Sequence, residues 1–168
     1  PLPSVHPDED DAKTTFQKLD RIWAHNNPGE FHVEEMNDDD RKKVYAAYMA
    51  MVSLIDDQVG RILDALRESG QEENTLVVFM SDHGEMLGDH GIYFKGPHFY
   101  DCQMRVPLIM KWPGGNFSHN RRVNGLIELV DLMPTFLDAA GLEIPNAVQG
   151  KSLLPLLQGN QDESLCRD

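Results

Sequence analysis

At 168 residues, with 40% hydrophobic and 26% charged residues, the chain has the size and composition of one globular domain and enough apolar material for a core. Its 15 Lys and Arg against 28 Asp and Glu give a formal net charge of −13 with no basic run, which argues against a nucleic-acid footprint. No stretch approaches the roughly 20 apolar residues of a bilayer span, the Pro-rich start lacks the regions of a signal peptide, and two cysteines cannot build a disulfide framework, so no compartment is indicated.

Residues 1–37 hold four prolines and many polar residues, and read as a loop-rich lead-in with one short helix from Thr14 to Trp23, where Phe16, Leu19, Ile22 and Trp23 recur at helical spacing. A long helix follows. Asn37 or a neighbouring Asp can cap it, the acidic first turn suits its positive end, and Ser69-Gly70 marks its stop. Val44, Ala47, Tyr48, Met51, Ile55, Val59, Ile62 and Leu66 form one apolar stripe, expected to pack on a sheet. Asp56 borders that stripe, where it can anchor a loop, and Asp57 points to solvent. Thr75 to Met80 is a continuous apolar run, as expected for a strand of a parallel sheet buried on both faces. Val106 to Met110 predicts a second strand ending at the turn Trp112-Pro113-Gly114-Gly115, and Asn124 to Ile127 a third. Asp131 to Ala140 reads as a helix closed by Gly141, with Pro134 tolerated in its first turn.

The chemistry is concentrated just after the first strand, in Ser81-Asp82-His83-Gly84-Glu85. Active sites of such sheets lie beyond the carboxyl ends of their strands. Asp82 offers hard oxygen and His83 imidazole nitrogen, both common ligands of divalent metals. Two consecutive ligands cannot share one face of a strand, so they need the irregular backbone that Gly84 permits. An Asp-His pair alone also fits a capping aspartate beside a surface histidine, and a lone Lys95 fits a solvated lysine. The strand, the glycine loop and the lysine 13 residues beyond Asp82 together favour the metal reading. His98 can bind substrate, assist protonation or serve a structural role, whereas His90 in Gly-Asp-His-Gly reads as a loop-shaping donor.

The run from Val77 to Pro113 resembles the sulfatase branch of the alkaline-phosphatase-like superfamily, whose pattern is an apolar strand, S-D-N/H-G-E, a lysine, and R-V-P-L-I followed by P-G. The segment Gln149 to Gly159 is similar to the one that closes the catalytic domain in that family. The resemblance implies an α/β fold, a partial sulfatase-like sheet flanked by helices. By it, residues 38–159 are the distal part of the catalytic domain, and 160–168 is a tail cut before the usual C-terminal subdomain. It also implies that Asp82 and His83 hold a divalent metal and that Lys95 acts in catalysis on the substrate oxygens, with His98 a further substrate contact. The family metal is Ca²⁺. Many sulfatases have Asn where His83 stands, and imidazole is friendlier to Mn²⁺ or Zn²⁺. Arg105 matches an arginine that pairs with acidic residues, and Asp101 is its candidate partner, expected to satisfy an inward guanidinium.

The family's nucleophile is formylglycine, made from the Cys or Ser of Cys/Ser-x-Pro-x-Arg, and no such motif occurs here. Neither Cys102 nor Cys166 has that context, so formylglycine and further metal ligands are expected upstream of Pro1. The expected function is a piece of a metal-dependent hydrolase of small-molecule or carbohydrate sulfate esters, inactive alone. The alternatives are hydrolysis of phosphonate monoesters or phosphodiesters, and a noncatalytic module binding metal or a partner. Oligomeric state is left open.

Overall fold

The computed structural model describes residues 2–3, 5, 11, 13–19, 33–97, 99–117 and 120–160. Residues 15–19 are helical, inside the Thr14 to Trp23 stretch whose remainder lies outside the described residues. The Thr14 hydroxyl accepts from the Gln17 amide at 3.3 Å while Gln17 Oε1 accepts from the Thr14 amide at 2.9 Å, a reciprocal cap.

Helix α1 runs from Asp38 to Glu68. Asn37 Oδ1 accepts the amides of Asp39 and Asp40 at 2.8 and 3.1 Å, satisfying two donors that a helix start leaves open. Gly70, at φ 70°, ends the helix in the left-handed conformation that glycine adopts most readily. The expected burial of its stripe does not occur. No residue of α1 is buried, and Met51, Ile55 and Ile62 are 55%, 54% and 66% exposed. Helical period identifies a face that needs cover; it does not supply the cover, and the described sheet has only two four-residue strands. Asp56 and Asp57 are both exposed. Among the described residues no helix is long and apolar enough to cross a membrane.

The chain divides into two compact units, one made of Pro1–Leu63 and Met80–Leu108, the other of Asp64–Phe79 and Ile109–Asp168. In the first unit, Met86 and Ile92 are each 1% exposed and pack with Tyr100 and Cys102. A tight turn brings them together: Leu87 and Gly88 take φ 45° and 94°, and the Gly88 amide donates to the Ile92 carbonyl at 2.7 Å. His90 also has positive φ, at 52°, and its ring stacks on Tyr100 with centroids 4.0 Å apart, which agrees with a loop-shaping role. The short helix α2, Asp101–Met104, closes this unit's loop region.

Strand β1, Val77–Met80, pairs with β2, Leu108–Lys111, and all but the last residue of β1 and the first of β2 fall in the second unit. The second strand starts two residues later than predicted. β1 is not buried on both faces as expected: Val77 and Val78 are half-buried, and Phe79 is exposed. Its continuous apolar run needs layers on both sides, and a two-stranded sheet is too narrow to carry them. Asn124 to Ile127 is not a strand either; it contributes a single bridge residue, Leu126. Helix α3, Leu132–Ala139, matches its expected place, with Pro134 in the first turn and Gly141 at φ 69° past its end. Helix α4, Leu154–Leu157, follows in the tail.

A strap of residues 149–153 docks on α3 through polar groups that no motif or spacing singles out. Asp131, 2% exposed, accepts the Glu128 amide at 3.0 Å and the Lys151 amide at 2.8 Å. Thr135, fully buried, donates to the Asp131 carbonyl at 2.6 Å and accepts the Leu153 amide at 2.8 Å. Ser152 Oγ donates to Asp138 at 2.5 Å. Gly150 allows the approach, since a Cβ there would lie 2.1 Å from the Val130 carbonyl oxygen.

Candidate active site

Met80 ends β1, and Ser81 turns the chain out of the strand: its hydroxyl donates to the His83 carbonyl at 2.7 Å. Asp82 Oδ1 accepts the His83 amide at 3.0 Å, which orients the carboxylate toward the ring that follows it. The imidazole is fixed by its own backbone, with Nδ1 2.8 Å from the Gly84 carbonyl oxygen. A carbonyl only accepts, so Nδ1 carries a proton, and Nε2 accepts from Lys95 Nζ, a group that only donates, at 3.2 Å. Nε2 also lies 3.5 Å from Asp82 Oδ2. Asp82, His83 and Lys95 are thus together, at a surface where the Asp82 side chain is 81% exposed and that of His83 36%.

The backbone around Gly84 is irregular, as expected, though Gly84 does not adopt positive φ. Its amide donates to the Gln103 carbonyl at 2.7 Å, and a Cβ there would lie 1.9 Å from the Cys102 carbonyl oxygen, so glycine is required by close backbone approach. The same contact brings in Gln103, which sequence reading missed. Gln103 is 4% exposed and donates through Nε2 to the Gly96 carbonyl at 2.9 Å, next to Lys95. No motif or spacing marks a glutamine for such a task; its partners lie 7 and 19 positions away in the sequence.

His98 and Cys166 lie outside the described residues. Arg105 does pair with Asp101, at 3.3 Å, but the pair is not inward: the side chains are 80% and 85% exposed. They sit one turn apart across the end of α2, and such an exposed pair contributes little. Burial pushes the Cys102 thiol up to about 11, the Asp89 carboxylate beside it adds to the shift, and Sγ rests 3.5 Å from Met86 Sδ. It is a neutral packing group with no nucleophilic character at physiological pH. Asp82 and His83 offer two donors to a cation, and among the described residues no group of three His, Cys, Asp or Glu side chains could hold a metal.

The sulfatase family model matches residues 8–142. The chain is 35% identical to the multifunctional alkaline phosphatase superfamily protein PehA of Trinickia caryophylli over 165 residues, 94% of this chain and 31% of that protein. It is 41% identical to the N-acetylglucosamine-6-O-sulfatase of Bacteroides thetaiotaomicron over 115 residues, 66% of this chain and 20% of that protein. Among solved structures it superimposes on the phosphonate monoester hydrolase SpPMH of Silicibacter pomeroyi with a TM-score of 0.84 and 35% identity, covering 99% of this chain and 33% of that one. The chain therefore spans about a third or less of the relatives it matches. Its elements are those of a partial α/β domain of alkaline-phosphatase-like type. With the match covering most of its length, the chain belongs to the sulfatase family of the alkaline-phosphatase superfamily.

Proposed function

We propose that residues 38–159 are the distal part of the catalytic domain of a metal-dependent hydrolase of sulfate esters, in which Asp82 and His83 are metal ligands and Lys95 is a catalytic residue. The observation that carries this reading is the cluster at the end of β1, where Nε2 of His83 faces both the Asp82 carboxylate and the Lys95 ammonium. The two donors suit a divalent cation but make an incomplete set, so further ligands, and formylglycine as nucleophile, would come from chain beyond these residues. Asp82 and His83 would hold part of such a cation's coordination, and the cation would supply Lewis-acid polarisation of the ester's nonbridging oxygens.

The chain's own residues do the rest. Nδ1–H of His83 is held by the Gly84 carbonyl, which keeps Nε2 a lone-pair donor. Lys95 now donates to that lone pair. With Nε2 engaged elsewhere, the ammonium is released to the substrate, where its charge opposes the negative charge growing on the leaving oxygen. The ester's alcohol is a small molecule or a carbohydrate, a reading supported by the N-acetylglucosamine-6-O-sulfatase similarity.

A second reading, hydrolysis of phosphonate monoesters, has its own support in the match to SpPMH along 99% of the chain. Comparing kcat/KM for an aryl sulfate and an aryl phosphonate, on the protein encoded by the whole reading frame, decides between them. Equal loss of both activities in D82A and H83A is expected; unchanged rates in both variants would remove the proposed site.

A further inference from the structure

We propose that Gln103 fixes the backbone of Lys95 beside that of His83, so that the ammonium reaches the imidazole in this structure and the substrate once Nε2 is engaged, an inference that rests on the role given to Lys95 above. Gln103 holds both loops of the site. Its backbone carbonyl accepts the Gly84 amide at 2.7 Å, and its side-chain Nε2 donates to the Gly96 carbonyl at 2.9 Å. Gly84 follows His83 and Gly96 follows Lys95, so one residue fixes the chain a single peptide away from each of the two groups. The result is the 3.2 Å approach of Lys95 Nζ to His83 Nε2.

The amide's orientation is dictated, because a carbonyl can receive only the NH₂ end. That leaves Oε1 buried and without a partner among the described residues, in a side chain 4% exposed. An apolar side chain of the same length would fill the same space without making the bond to the Gly96 carbonyl. What the amide alone supplies is the bond to Gly96. Lys95 itself is exposed and long, and without a fixed backbone its ammonium would sample many positions away from the imidazole.

The test uses the whole chain, isotopically labelled, and reads the nuclear Overhauser contact between the Lys95 ε-methylene and His83 Hε1. The parent should show the contact, together with slow exchange of the Gln103 side-chain NH₂. Gln103→Met, of matched length, should melt close to the parent yet lose the contact. Gln103→Asn, which keeps the amide but cannot reach Gly96, should lose it too and guards against a folding defect peculiar to methionine. A contact that persists in both variants, or a parent NH₂ that exchanges as fast as free glutamine, overturns the clamp. In the enzyme encoded by the whole reading frame, Q103M should lower kcat roughly 10- to 100-fold with KM little changed, and should add nothing in a K95A background. Should K95A leave rates untouched while Q103M still abolishes the contact, the clamp stands and the catalytic role of Lys95 falls.

Discussion

Among the described residues Lys95 meets the imidazole through one bond of 3.2 Å and is otherwise exposed, so its replacement tests chemistry more than folding. In the active enzyme Lys95→Ala should cost roughly 2 to 4 kcal/mol of transition-state stabilisation, the scale for one preorganised electrostatic donor. The loss should grow with the pKa of the leaving alcohol, and a linear free-energy series of aryl and alkyl esters checks the slope. Cys102 gives a test of a different kind. Its thiol has about 11 where about 9 is ordinary, so between those values the folded chain holds a proton that the unfolded chain has lost. The stability this contributes is present below pH 9 and is lost as pH rises toward 11, and alkylation of the native chain by iodoacetamide should stay slow until the same range. Rapid labelling at pH 8 would contradict the buried environment. At this scale the sequence disclosed what is chemically distinctive, Asp82, His83 and Lys95. Gln103 was invisible, since a glutamine's role depends wholly on which carbonyl lies against it.

Helix α1 is the element whose limits were most legible, because both of its ends are set by neighbours in sequence. Asn37 caps through its own side chain and Gly70 ends the helix by its own backbone freedom. Asn37→Ala should lower stability by about 1 kcal/mol, read as a drop in helical signal and melting temperature, with Asn37→Ser recovering most of it. The strands were less legible. β2 begins at Leu108 and not at Val106, and Asn124 to Ile127 yields only a bridge at Leu126. An apolar run becomes a strand only where a partner strand accepts its hydrogen bonds, and that partner is remote in sequence. Burial failed for the same reason: Met51, Ile55 and Ile62 of the α1 stripe, and Phe79, are apolar by sequence yet exposed, and the rest of the stripe is at most half-buried, as nothing local supplies their cover.

Taken as a whole, the molecule joins a net charge of −13 to an apolar stripe on α1 that is nowhere fully buried and is exposed at Met51, Ile55 and Ile62. The charge favours solubility and the stripe favours association, so the purified chain should bind a hydrophobic dye such as ANS and self-associate more as salt screens the repulsion. Sedimentation at low and high ionic strength measures the difference, and a dye-silent monomer at both would count against an uncovered stripe. The strap of residues 149–153 has an effect on integrity. Between α3 and the strap the chain runs through exposed Leu142 and Glu143, while Asp131, Thr135 and Asp138 grip Lys151, Leu153 and Ser152 from the other side of that loop. A single proteolytic cut after Glu143 should therefore leave two fragments that co-elute in native buffer and separate in denaturant. The same position is where the gene could be divided and its two products reassemble unaided, a split site created by hydrogen bonds that bridge the gap and not by any covalent tie.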